Sequence, residues 1–454
     1  MTDPHRTPAE VRAQLDHPVI DADGHLLEVR PLVGEFVREL GGARYADKFM
    51  DSSNDRKFHV SGKSFAWWGT PRDARDRATA FVPALLHERL PELGFDYAIV
   101  YGTQGLGTAR TSDPDERNVL VRAYNTYYRE LIRGLEDRLT IPAIIPMQSP
   151  EEAIEILDHA VLELGLTTTM FTAHVPRTGS DGPYFDFFAI ESAFDYDPLW
   201  KRCVELGVAP TFHTGSQGIG LRATSNYMFN HVGSFSDANQ ATAKALLMGG
   251  VTRRFPELSF GFLEGGVAWG VTLLADLLAR WEKRGGKNIE GLDPKQLDVE
   301  AFFALLATYG GERYARDDVR EATHGMHDGA PAELDDFWRA EINSPEDLVD
   351  LFVPRFYFGC EADDTTNAWA FDAARNPYGA RLNAMLGSDV GHWDVPVMAD
   401  VLGEAYSLVE TGVISPADFR AFSCDNVVRL YGANAKTFEG TAVADYARTV
   451  VASV

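Results

Sequence analysis

Short apolar runs that close on polar residues recur along the chain, and most are followed by a segment of helical spacing. The runs fall at residues 18–23, 95–101, 139–147, 167–172, 208–213, 258–264, 355–360 and 384–389. Runs of this length and bounding predict strands. Strands alternating with helices predict a parallel α/β fold, and eight such units predict a (β/α)8 TIM barrel.

The helix signals agree with that alternation. Ser149, Pro150 and Glu152 read as an N-cap, a proline in the first turn and a capping-box glutamate. Ala153, Ile156, Leu157, Ala160, Val161 and Leu164 then follow at helical spacing, and Gly165 stops the run. Ser236-Asp237 and Asp197-Pro198 predict two further helix starts. Two stretches are too long for simple connections, at about residues 26–94 and 286–350. The expectation is one barrel domain over residues 1–454 with these two insertions, both at one rim, where they would form a lid. Residues 435–454 read as a tail packed outside the barrel.

A barrel gathers the residues at its strand exits into one mouth. Asp23 and His25 close the first run, His213 the fifth, Glu264 the sixth and Asp389 the eighth. Asp21, Asp23 and His25 are spaced by two, which on a regular strand puts all three on one face. Two histidines with one or two carboxylates suit Zn, Mn or Fe better than Ca or Mg. The expected ligands are therefore His25, His213, Asp389 and an aspartate of the Asp21/Asp23 pair, around one divalent ion, with Zn placed first. Asp389, Glu264, His231 and His392 are the candidate acid–base groups, with Asp394 orienting His392. His174 is a weaker candidate. His324 and His327 read as solvated residues of the acidic insertion. Trp67, Trp68 and Trp393 suggest a sizeable apolar pocket.

Charge narrows the partners. The formal net charge is −25, which disfavours nucleic acid and anionic membranes and leaves a small molecule as the expected partner. The three cysteines, Cys203, Cys360 and Cys424, are far apart and odd in number, which fits a reducing cytoplasm. No run approaches the roughly 20 apolar residues of a membrane span, and the N-terminus lacks a signal-peptide core. The glycine-rich GTQGLGT lacks a phosphate-loop lysine, and no GxSxG elbow is present.

Several motifs together resemble the amidohydrolase-2 (amidohydrolase-related) family. They are DADGHLLE, FHTG, GGVTRRFPELSFGFLEGGVAW, GSDVGHWD and DNVVRLYG, in an order that spans about residues 18–432. The family includes aminocarboxymuconate-semialdehyde and resorcylate decarboxylases alongside hydrolases. The resemblance implies a metal-dependent barrel with Asp23, His25, His213 and Asp389 as ligands, and often a dimer or larger homo-oligomer. Two departures stand out. The decarboxylases carry a strand-six histidine where this chain has Phe262, and strand four has no lysine to bridge two metals. The first departure favours hydrolysis of an ester, thioester, lactone or amide. The alternative is non-oxidative decarboxylation of an aromatic or enol-type acid, in which His231 or His392 replaces the missing donor.

Overall fold

The structure, a computed structural model, describes residues 6–51, 71–180, 182–215, 223, 226–324, 333–432 and 436–453. Trp67, Trp68 and His327 lie outside the described residues. Among the described residues are eight parallel strands. They are β1 (Ile20–Leu26), β2 (Tyr97–Gly102), β3 in two pieces (Leu139–Thr140 and Ala143–Ile145), β4 (Thr169–Phe171), β5 (Pro210–Phe212), β6 (Phe260–Phe262), β7 (Phe356–Glu361) and β8 (Asn383–Gly387).

Each strand pairs with the next in sequence. Pro142 has no N–H to give and falls at the break in β3. There Asn125 replaces a strand neighbour, donating to Ile144 O at 3.1 Å and accepting from Ile144 N at 2.8 Å. The ring closes between β8 and β1, where Asp389 N donates to Asp23 O (2.9 Å) and His25 N to Val390 O (2.8 Å). The fold is a (β/α)8 TIM barrel. The outer layer holds helices such as Pro114–Leu131, Asp197–Leu206, Ser234–Met248 and Ala268–Arg284. Aromatic residues glue the layers: Phe260 meets Trp200 edge-on at 5.7 Å, and Phe262 meets Trp269 at 5.6 Å. Burying each such side chain stabilises the fold by about 1.5–3 kcal/mol.

Three local expectations need correcting. Glu152 N does donate to the Ser149 hydroxyl, at 3.2 Å, but the Glu152 carboxylate is held by the Arg117 guanidinium at 2.7 and 2.8 Å. A fork of two charge-assisted bonds outcompetes the capping box. The helix expected from Ser236 begins at Ser234, behind Gly233 in the left-handed region. The two insertions, moreover, do not share a rim. The first leaves β1, and its described residues touch the strand exit where Leu27 N donates to Ala80 O at 2.7 Å. The second leaves the helix Ala268–Arg284, not a strand. It docks through Ala340 O on Arg253, in the short helix Val251–Arg254 that leads into β6. That contact lies at the strand-entrance end, so among the described residues this insertion does not form the expected lid. Of the tail, Ala444–Val451 is a helix against Asn426–Tyr431. Among the described residues no helix is long and apolar enough to cross a membrane.

Candidate metal centre

The strand exits bring Asp23, His25, His213, Glu264 and Asp389 into one buried cluster. His213 Nε2 lies 3.2 Å from His25 Nε2, 3.2 Å from Asp23 Oδ1 and 3.2 Å from Glu264 Oε2. His25 Nε2 lies 3.2 Å from Asp389 Oδ1 and 3.6 Å from Asp23 Oδ1. Asp389 Oδ1 lies 2.7 Å from His392 Nδ1, and the His392 ring stacks on His25 with centroids 3.8 Å apart. Thr103 Oγ1, at the exit of β2, holds the other nitrogen of His392 at 2.9 Å.

Local backbone geometry aims these groups. Glu264 and Asp389 both sit in the left-handed region, with φ of 55° and 49°. For residues with a Cβ this conformation is strained by about 1 kcal/mol or more, and it persists where the surroundings enforce it. A register shift in β1 between Asp21 and Gly24 breaks the expected comb. Asp21 turns to β8 and accepts from Ser388 N (2.9 Å), Ser388 Oγ (2.6 Å) and Asp23 N (3.1 Å). Asp23 is therefore the aspartate of the pair that faces the cluster.

The cluster is electrostatically unfinished. Burial drives Glu264 and Asp389 well above the usual carboxylate range, and neighbouring carboxylates push both further. Burial opposes the His213 imidazolium, yet Asp23 and then Glu264 outweigh it and raise His213 to about 9. Burial, then His392 and His213, hold His25 well below its ordinary value. Asp23 Oδ1, Glu264 Oε2 and both Asp389 carboxylate oxygens are buried and meet no aligned hydrogen-bond donor among the described residues. Imidazole nitrogens and orphaned carboxylate oxygens are the donor set a divalent transition ion takes. Asp23, His25 and His213 form one compact triad, and His25, Asp389 and His392 another. The residues present fit a metal.

Around this centre the mouth is partly aromatic. His231 Nε2 lies 3.6 Å from Glu264 Oε1, and its ring stands 5.3 Å from Tyr227 and 5.7 Å from Trp393. Asp394 is exposed beyond Asp389, and its proximity is among the causes that raise the Asp389 carboxyl. His174 is buried after β4, edge-on to Phe185, and belongs to neither triad. Two residues were missed. Thr103 carries no sequence signal, because a threonine at a strand end is ordinary. Glu361 ends β7 one residue past the apolar run, and burial with Asp394 and Asp23 holds its carboxyl well above the usual range. A rule that extended every run to its first charged residue would have found it.

The family described as Amidohydrolase matches residues 20–313. The chain belongs to the amidohydrolase family. Solved structures of similar fold share little sequence with this member. An amidohydrolase from Mycobacterium avium subsp. paratuberculosis K-10 is 17% identical, with a TM-score of 0.55 over 92% of this chain and 98% of its own. A dihydroxybenzoic acid decarboxylase from Polaromonas sp. JS666, with bound manganese and the inhibitor 2-nitroresorcinol, is 16% identical, with a TM-score of 0.54 over 92% and 98%. A 5-carboxyvanillate decarboxylase from Novosphingobium aromaticivorans DSM 12444, complexed with manganese and a nitrobenzoic acid, is 14% identical, with a TM-score of 0.51 over 95% and 99%. At these identities the likeness is one of fold.

Proposed function

We propose that this amidohydrolase is a metal-dependent carboxy-lyase, which removes carbon dioxide from a small carboxylic acid without oxidation. The observation that carries the reading is the His231–Glu264 pair on the open side of the cluster. Loss of carbon dioxide leaves an electron pair on carbon, and that carbon must receive a proton. Glu264, held toward its protonated form by burial, is the donor in this reading. His231, whose side chain is a quarter exposed, refills it from solvent.

The departure at Phe262 does not oppose this. Phe262 is fully buried and faces the helix layer under Trp269. A histidine with that orientation would not reach the mouth, and the strand-six residue that does is Glu264. The shared fold with two decarboxylases supports the reading. Asp23, His25, His213 and Asp389 are the proposed ligands, and manganese ranks beside zinc as the ion. A divalent cation bound there would polarise the substrate's oxygens and stabilise developing negative charge.

Hydrolysis is the second reading. It is favoured by Asp389, which lies against both His25 and His392 and is placed to take a proton from water and pass it on. One experiment separates the two. Manganese- and zinc-loaded protein is given 2,6-dihydroxybenzoate, 5-carboxyvanillate and a set of aryl esters. Carbon dioxide release from an acid supports the carboxy-lyase; ester cleavage with no carbon dioxide from any acid overturns it in favour of hydrolysis.

A further inference from the structure

Asp389 and His392 meet in a way that a hydrogen bond does not explain. Asp389 Oδ1 lies 2.7 Å from His392 Nδ1 and 3.2 Å from His25 Nε2, yet neither Asp389 oxygen meets an aligned donor among the described residues. His392 is buried and stacks on His25, a setting that favours the uncharged ring. A neutral imidazole carries one N–H. An aligned contact is made at the other nitrogen, where Nε2 faces Thr103 Oγ1 at 2.9 Å. With the proton on Nε2, the Nδ1 lone pair stands beside the Asp389 carboxylate. At 2.7 Å the two repel unless a cation joins them. His25, Asp389 and His392 each offer a ligand atom, all within 4.8 Å of one another.

The backbone holds both sides of this arrangement. His392 N donates to Asp389 O at 3.1 Å, which turns the ring back beside the carboxylate. Gly391 sits at φ 106°, and a Cβ there would stand 2.6 Å from His25 O, so the turn needs a glycine to pass this close. Thr103 is equally fixed. Its N–H donates to Leu26 O at 2.9 Å, and the N–H groups of Gln104 and Gly105 donate to the buried Glu28 carboxylate at 2.8 Å each.

We propose that His392 is a further ligand of the ion, bound through Nδ1 beside Asp389, and that Thr103 is the positioning residue that fixes its tautomer. A ligating histidine ordinarily gives its other N–H to an outer acceptor, which sets the ring and makes it a more basic ligand. Thr103 Oγ1 is that acceptor. The inference rests on the reading that Asp23, His25, His213 and Asp389 hold a divalent ion. It also takes His392 out of the proton relay on which the hydrolytic reading draws.

The test is zinc titration in competition with a chromophoric chelator, together with NMR of the histidine ring nitrogens in zinc-loaded protein. The His392 signals are identified by their loss in His392→Gln. The expected result is a protonated Nε2 and an Nδ1 shifted as a zinc-bound nitrogen. His392→Gln and Thr103→Val each weaken zinc about tenfold or more, and Thr103→Ser restores most of the affinity. Thr103→Val costs nothing further in the His392→Gln background, because it acts through that ring. A proton on Nδ1 in the zinc-loaded protein overturns the proposal, and so does a wild-type zinc affinity in His392→Gln. If His392→Gln does not fold, equal zinc affinity in wild type and Thr103→Val overturns it. Zinc that is lost in His213→Ala yet indifferent to His392→Gln strikes this ligand alone. No zinc in the wild type strikes the whole ligand reading and this inference with it.

Discussion

Glu264 stands between two histidines, with Oε2 3.2 Å from His213 Nε2 and Oε1 3.6 Å from His231 Nε2. One histidine is sealed in the barrel and the other reaches solvent. The carboxyl thus links the ligand cluster to the mouth. A contact of 3.6 Å is long for a hydrogen bond, yet such contacts are often loose before substrate arrives. If His231 supplies the proton, His231→Gln lowers kcat about a hundredfold or more while metal content stays at the wild-type level. A kcat within a factor of about two of wild type would remove His231 from the chemistry.

His213 touches Asp23, His25 and Glu264 at once, so its loss opens the centre of the cluster. Elemental analysis should find about one divalent ion per chain in the wild type and a clear deficit in His213→Ala. Chelation should lower the wild-type melting temperature, because an ion bound only by the folded state stabilises it by mass action. His213→Ala should show little further change on chelation. Equal metal content in the two proteins would mean that the ion is held elsewhere.

The eight strands were legible because each carries a short apolar run that ends where the barrel opens, and both features are local. Asp23, His25, His213, Glu264 and Asp389 were legible for the same reason. What failed depends on relations between distant residues. The β1 irregularity turns Asp21 toward Ser388, 367 residues away, and no pattern within the run announces it. The outward orientation of Phe262 is set by Trp269 and Phe212. The second insertion was assigned to the wrong rim because its position depends on whether it leaves a strand or a helix, and the sequence shows a long polar stretch in either case.

Asp21 offers a test of structural against ligand roles. Its carboxylate satisfies two backbone N–H groups and one hydroxyl, all buried. Asp21→Ala leaves these donors without an acceptor and should cost about 2–4 kcal/mol in denaturant unfolding. Asp21→Asn retains an acceptor for Ser388 N and should cost much less. Burial raises Asp21 to about 7 against these three donors, so near neutrality the neutral amide is a fair substitute. Metal content should survive Asp21→Asn and fall in Asp23→Ala. The reverse order would exchange the two aspartates.

His174 sets a pH window away from the cluster. Burial, then Arg110, lowers it from 6.5 to about 4 in the folded state. Between these values the unfolded chain binds a proton that the folded chain refuses, so stability rises with pH across the window. The neutral ring's contribution is therefore fully present above about 6.5 and is lost as pH falls toward about 4. His174→Phe keeps an aromatic ring against Phe185 and Phe187 and removes the titration. Melting temperatures at constant ionic strength from pH 4 to 8 should fall less on acidification in the variant than in the wild type. The two curves should run parallel above pH 7, where His174 is neutral in both states. Parallel curves throughout would show that burial does not hold His174 below its ordinary value.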